Sequence, residues 1–160
     1  LSQPATAPSI TAAEVARGVT RLFAAQGLAA MAEVPLPGGR RADLLAVDAK
    51  GQVVIVEIKV ARADLLSDGK WPDYCDWCDR FYWALGAGLD ASILDTPAYR
   101  PDMAGLIIAD RYGAAVVREA AVEPIAPARR KAELLRVARL AMRRLMLAND
   151  PDLAADWADG

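Results

Sequence analysis

The stretch Arg41-Ala42-Asp43-Leu44-Leu45-Ala46-Val47-Asp48-Ala49-Lys50-Gly51-Gln52-Val53-Val54-Ile55-Val56-Glu57-Ile58-Lys59-Val60 decides the fold, because two mainly apolar runs flank a turn signal. Asp48 stands where a type I turn begins and Gly51 where the following residue needs positive φ. A three-residue hairpin loop with a bulged Gly51 is therefore the favoured connection. In the antiparallel pair that results, Asp43 falls opposite Glu57 and Arg41 opposite Lys59, and side chains alternate between faces with period two. One face carries Ala42, Leu44, Ala46, Val54, Val56, Ile58 and Val60 and must be core. The other is apolar near the turn (Leu45, Val47, Val53, Ile55) and charged at its open end.

Two carboxylates directly opposed on a sheet repel, so Asp43 and Glu57 call for a compensating cation. Hard oxygen ligands on rigid strands suit Mg²⁺ or Mn²⁺, which binds through one or two carboxylates, keeps several waters and takes further contacts from substrate phosphate. Lys59 points to the same place. The competing account is an exposed salt-bridge quartet in which Arg41 and Lys59 simply neutralise the two acids.

Outward from the hairpin, residues 1–9 are rich in Pro and Ala and read as a flexible lead-in. A helix starts near Thr11, with an apolar stripe at Val15, Val19, Leu22 and Phe23 and a stop at Gly27. Met31 to Leu36 reads as a short first strand. Beyond the hairpin, the spacing of Trp77, Phe81 and Leu85 predicts a helix from about Pro72 to Leu85 with those three residues in the core. Ala104 to Ala109 and Ala114 to Val117 read as two strands joined by Asp110-Arg111-Tyr112-Gly113. After the linker Glu123-Pro124-Ile125-Ala126-Pro127 a long helix runs to about Leu147, and residues 149–160 form an acidic tail expected to be loosely held. The expected order is helix, three strands, helix, two strands, helix: an α/β fold in a single domain over residues 10–148.

Asp43 followed by a hydrophobic strand ending in Glu57-Ile58-Lys59 resembles the PD-(D/E)XK nuclease superfamily, in which an acid and an E-x-K triplet sit on adjacent strands. With the continuation Asp64, Lys70-Trp71-Pro72-Asp73-Tyr74-Cys75-Asp76-Trp77-Cys78-Asp79-Arg80-Phe81-Tyr82-Trp83, the chain is similar to MmcB-type DNA repair proteins, a small branch of that superfamily. The resemblance spans residues 9–147, with its specific part in 41–83. Ala42 stands where the superfamily name has proline.

The resemblance implies a restriction-endonuclease-like core, a central mixed β-sheet flanked by helices, that hydrolyses DNA phosphodiesters with Mg²⁺ or Mn²⁺. Asp43, Glu57 and the main-chain carbonyl of Ile58 would ligate the metal, and Lys59 would orient the nucleophile and stabilise charge at phosphorus. Superfamily members often place an acid on the first helix, which makes Glu14 a fourth catalytic candidate. Thr11-Ala12-Ala13-Glu14 equally fits a T-x-x-E capping box, and both readings stand. Arg41, Lys70 and Tyr74 are candidates for substrate contact, with Trp71 and Asp73 beside them. On the last helix Arg129, Arg136, Arg139 and Arg143 fall within a sector of about 80°, opposite Leu134, Ala138, Ala141, Met142 and Leu145. That stripe either tracks a phosphate backbone or is a solvated face, and Arg136, Arg139 and Arg143 are its DNA-contact candidates.

The whole chain sets limits on these readings. Its 160 residues suffice for one self-sufficient core, and a net charge of −2 means that any nucleic-acid surface is local. DNA is the expected partner, a homodimer is an open possibility, and no membrane is expected: no run approaches the roughly 20 apolar residues of a span. The start of the sequence lacks the pattern of a secretory signal, so the cytoplasm is the expected location. Cys75 and Cys78, with no His in the chain, cannot close a four-ligand zinc site within one chain. Their surroundings favour buried, inert thiols over redox chemistry. A nuclease-fold module that binds DNA without cutting, and a structural protein with no nucleic-acid partner, remain as alternatives.

Overall fold

A computed structural model of the chain describes residues 9–157. The lead-in expected over residues 1–9 lies, but for Ser9, outside the described residues, as does the end of the acidic tail. The chain divides into two compact units at Pro124/Ile125, within the linker seen in the sequence.

The first unit is a six-stranded mixed sheet whose strands lie in chain order: β1 (Ala29–Pro35), β2 (Arg41–Val47), β3 (Val53–Lys59), β4 (Arg80–Gly86), β5 (Gly105–Ala109) and β6 (Ala114–Arg118). The β1–β2, β2–β3 and β5–β6 pairs are antiparallel, whereas β3–β4 and β4–β5 are parallel. This is an α/β fold of the kind expected. The hairpin register is the one that the turn chemistry dictates, with Leu44 opposite Val56 and Val47 opposite Val53. Gly51 takes φ +81°, and the Asp48 carboxylate accepts from the Lys50 and Gln52 amides at 2.8 and 2.9 Å.

Helix α1 (Ala12–Ala25) lies on one face of the sheet, where Val15, Val19 and Phe23 meet Leu44, Ala46, Val54, Val56 and Ile58. The other face is covered by α2 (Arg62–Ser67) and by 3-10 helices at Trp71–Trp77, Ser92–Asp95 and Pro97–Tyr99. On that side Trp83 meets Phe81, Trp71 and Tyr99 edge-on or tilted at ring separations of 5.2–5.9 Å, and the Tyr99 hydroxyl donates to the Leu65 carbonyl at 3.0 Å.

The helix expected from Pro72 to Leu85 does not form. Its first part is the 3-10 helix Trp71–Trp77, and its second part is strand β4. A spacing of four is even, so Phe81 and Leu85 share a face in a strand as they would in a helix, with Trp83 between them. Phe, Tyr and Trp favour extended backbone, and a parallel strand buried on both faces reads as an unbroken apolar run. Asp79 fixes the start. Its amide donates to the Val53 carbonyl and its fully buried carboxylate accepts from the Val53 amide, both at 2.8 Å, clipping the beginning of β4 to that of β3. Phe81 and Leu85 are core as expected, but Trp77 is only half-buried.

The second unit contains α3 (Pro127–Asn149) followed by a 3-10 helix, Pro151–Trp157, where the sequence reads as a loose tail. Leu135, Met142, Leu145 and Met146 are exposed on α3, so Met142 and Leu145, on the side opposite the arginines, are not core. No helix among the described residues is long and apolar enough to cross a membrane.

Candidate functional site

The ladder between β2 and β3 opens just past the Leu44–Val56 pair. There the two acids take over from the backbone. The Ile58 amide donates to Asp43 Oδ2 at 2.8 Å, and the Asp43 amide donates to Glu57 Oε1 at 3.4 Å, so each carboxylate reaches across to the opposite strand. This cross-bracing lets two opposed acids share a strand end, which also lies at the C-terminal end of a parallel pair, β3–β4, where ligands of open α/β sheets tend to bind.

Asp43, Glu57, Ile58, Lys59, Lys70 and Tyr74 line one polar, open cleft of about 490 Å³, together with Arg40 and residues of the loop after α2. Burial raises the pKa of both acids, and each is raised further by a neighbouring carboxylate, Glu33 for Asp43 and Asp43 for Glu57. Glu57 reaches about 7. Lys59 is held above its ordinary value: burial works to lower it, but the hydrogen bond and charge of Asp68, with the charges of Glu57 and Asp43, outweigh that loss. The ammonium sits 2.9 Å from Asp68 Oδ2 and 3.8 Å from Glu57 Oε2. Burial, followed by the charge of Glu57, raises the Tyr74 phenol, whose hydroxyl donates to the Arg41 carbonyl at 3.1 Å.

The salt-bridge quartet of the competing account does not close. Arg41 is mostly exposed and lies 3.8 Å from Glu33, while Lys59 turns to Asp68. Arg41 contributes its carbonyl to Tyr74 and is not among the residues lining the cleft. Trp71, a sequence candidate, is core against Phe81 and Trp83, and Asp73 pairs with Arg40 at 3.2 Å. Glu14 closes the capping box: its carboxylate accepts from the Thr11 amide at 2.9 Å and lies 3.6 Å from Arg111, away from the lining of the cleft. Arg136 on α3 binds Glu133 at 2.6 Å, while Arg139 and Arg143 lie three and seven residues further along the same helix. Asp68 escaped the sequence reading. Its only local mark is a loop Asp-Gly after a short helix, which does not reveal that the chain returns to β3.

Among the described residues, no three or more His, Cys, Asp or Glu side chains cluster so as to hold a metal. The donor set at the cleft is two carboxylates with hard oxygens, drawn together despite their mutual repulsion and partly withdrawn from water. That set fits a Mg²⁺-like ion that retains much of its water, and not a closed all-protein cage. The two thiols offer no second centre. Burial, then the charge of Glu123, pushes Cys75 up to about 11, and deeper burial pushes Cys78 well above its ordinary value, so neither is poised as a thiolate.

A family model described as DNA repair protein MmcB-like matches residues 2–152. A solved structure of a protein of unknown function from Silicibacter pomeroyi is 39% identical, with a TM-score of 0.79 over 88% of this chain and 92% of that one. A search of curated proteins finds no match. A hairpin that sets Asp43 against Glu57-Ile58-Lys59, in a sheet shared with that structure and under a family model that spans nearly the whole chain, leads to one conclusion: this chain belongs to the MmcB-like family of DNA repair proteins.

Proposed function

We propose that the cleft is the active centre of a metal-dependent DNA nuclease of the PD-(D/E)XK type. The observation that carries this reading is the meeting of Asp43, Glu57 and Lys59 in one polar cleft at the end of β3. Asp43 and Glu57, with the Ile58 carbonyl, would hold Mg²⁺ or Mn²⁺. When bound, that ion supplies Lewis acidity toward a phosphoryl oxygen and an activated water. Lys59 orients the attacking water and offsets the negative charge that grows on the phosphoryl oxygens as one P–O bond forms and the ester P–O bond breaks. Lys70, exposed at the rim, binds the incoming phosphodiester, and Tyr74 braces β2 through the Arg41 carbonyl. On α3, Arg136, Arg139 and Arg143 contribute contacts to the DNA backbone.

A nuclease-fold module that binds DNA without cutting has one observation in its favour: the Lys59 ammonium is already engaged by Asp68. Turnover separates the two readings. Incubated with single-stranded, duplex and branched DNA and Mn²⁺ or Mg²⁺, the wild-type chain should cut at least one substrate. Asp43→Asn should not cut, and should lose the rise in melting temperature that Mn²⁺ gives the native protein. DNA binding without cleavage of any substrate would establish the module instead.

A further inference from the structure

Lys59 ends β3 on a side chain with four rotatable bonds, and its ammonium stays in one place only where something grips it. Among the described residues the grip of hydrogen-bond length is Asp68, at 2.9 Å, whereas Glu57 Oε2 stands off at 3.8 Å. Both side chains of the short pair are sheltered, at 14% and 13% exposure, so it is not a surface ion pair loosened by solvent. Asp68 is itself held in position. Leu65 of α2 is fully buried and its carbonyl accepts from Tyr99, so the chain leaving α2 is anchored just before it delivers Asp68 to the side of β3.

Resting on the nuclease reading of this cleft, we propose that Asp68 is the positioning residue for Lys59. It takes the ammonium's short hydrogen bond, so that the lysine stays beside Glu57 without closing onto it, and the oxygens of Glu57 and Asp43 remain available to a divalent cation. Without Asp68 the contact left to the ammonium among the described residues is Glu57 at 3.8 Å, too long to fix it, so the charge stabiliser swings between solvent and a metal ligand and serves neither. Asp68 touches neither substrate nor metal in this scheme and acts only through Lys59.

The test uses the full chain and Asp68→Asn, which keeps the side-chain shape and removes the charge. Lysines are acetylated under limiting reagent and quantified by peptide mass spectrometry, with the exposed Lys50 as internal reference. Labelling of Lys59 relative to Lys50 should rise about tenfold in the variant, the scale of replacing a charge-assisted hydrogen bond by one to a neutral amide oxygen. With Mn²⁺ and the DNA form that the wild-type chain cuts, kcat should fall about tenfold while KM changes less than about threefold, and Asp68→Glu should restore part of both losses. Should Asp68→Asn melt below the assay temperature, Asp68→Ser is measured in the same way. Unchanged labelling would overturn the proposal, as would faster labelling with undiminished kcat. If the wild-type chain cuts no DNA, the nuclease reading falls, and the labelling ratio still decides whether Asp68 holds Lys59.

Discussion

Glu57 carries its charge in an unfavourable place, since burial and the facing Asp43 both resist ionisation and bring its pKa to about 7 from an ordinary 4.5. The unfolded chain releases this proton near pH 4.5, whereas the metal-free folded chain keeps it until about pH 7. The associated stability is fully present below the unfolded value and is lost as the pH rises through 7, a term on the order of 3 kcal/mol. Thermal melts without metal should therefore decline between about pH 4.5 and 7 and level off above that, and Glu57→Gln should flatten the decline. Because a cation must displace the same proton, Mn²⁺ affinity measured by calorimetry should rise with pH up to about 7 and then level off. An affinity indifferent to pH over that range would remove Glu57 from the metal. Lys59→Ala addresses chemistry: if the chain is the proposed nuclease, cleavage should fall on the order of 100-fold or more, while DNA affinity stays within a few-fold, because the role proposed for the ammonium is chiefly on the transition state. Full activity in that variant would exclude the role.

At the scale of the element, Gly18 in α1 sets local preference against packing. Alanine is the better helix former by about 1 kcal/mol, so an isolated helix would gain from Gly18→Ala. In the fold, the added Cβ would stand 2.6 Å from the carbonyl oxygens of both Asp110 and Gly113 in the β5–β6 turn, too close for backbone atoms to yield cheaply. The variant should lose about 1–3 kcal/mol in urea denaturation despite its improved propensity. Thr11→Ala at the other test position removes the side chain that accepts from the Glu14 amide and should cost about 1 kcal/mol with no effect on cleavage. A loss of cleavage there, with stability kept, would return Glu14 to the active centre.

For the whole molecule, the proposed DNA binding requires a near-neutral chain to concentrate its positive charge, and α3 is where arginines concentrate. Each duplex phosphate that the protein ceases to neutralise makes the slope of log affinity against log salt shallower by about 0.9. Changing Arg136, Arg139 and Arg143 together to Gln should reduce the slope by about 0.9 for each of them that neutralises a phosphate, up to about 2.7, with the weakening shared by all DNA sequences. A well-folded triple variant with an unaltered slope would make the stripe a solvated face and move the DNA-binding surface toward Lys70 and the cleft.

The hairpin, its bulged Gly51 and the opposition of Asp43 to Glu57 are legible in the sequence, because turn chemistry and period-two alternation are local and together leave one register. The capping box of α1 and the apolar stripe above it are local in the same sense. Strand β4 is different: the even spacing of Phe81 and Leu85 satisfies both periods, and only the pairing with β3 and β5 and the Asp79 clip to Val53 select the strand. The partners of the charged residues are likewise tertiary. Lys59 turns to Asp68 in the loop after α2, Arg41 to Glu33 on the neighbouring strand and Glu14 toward Arg111 in the β5–β6 turn, approaches between elements for which neither composition nor spacing leaves a mark. Sequence determined which acids face each other, because neighbours along a ladder are fixed by counting; the tertiary structure decided which cation each acid meets, because that depends on how separate elements pack and where the chain returns after each of them.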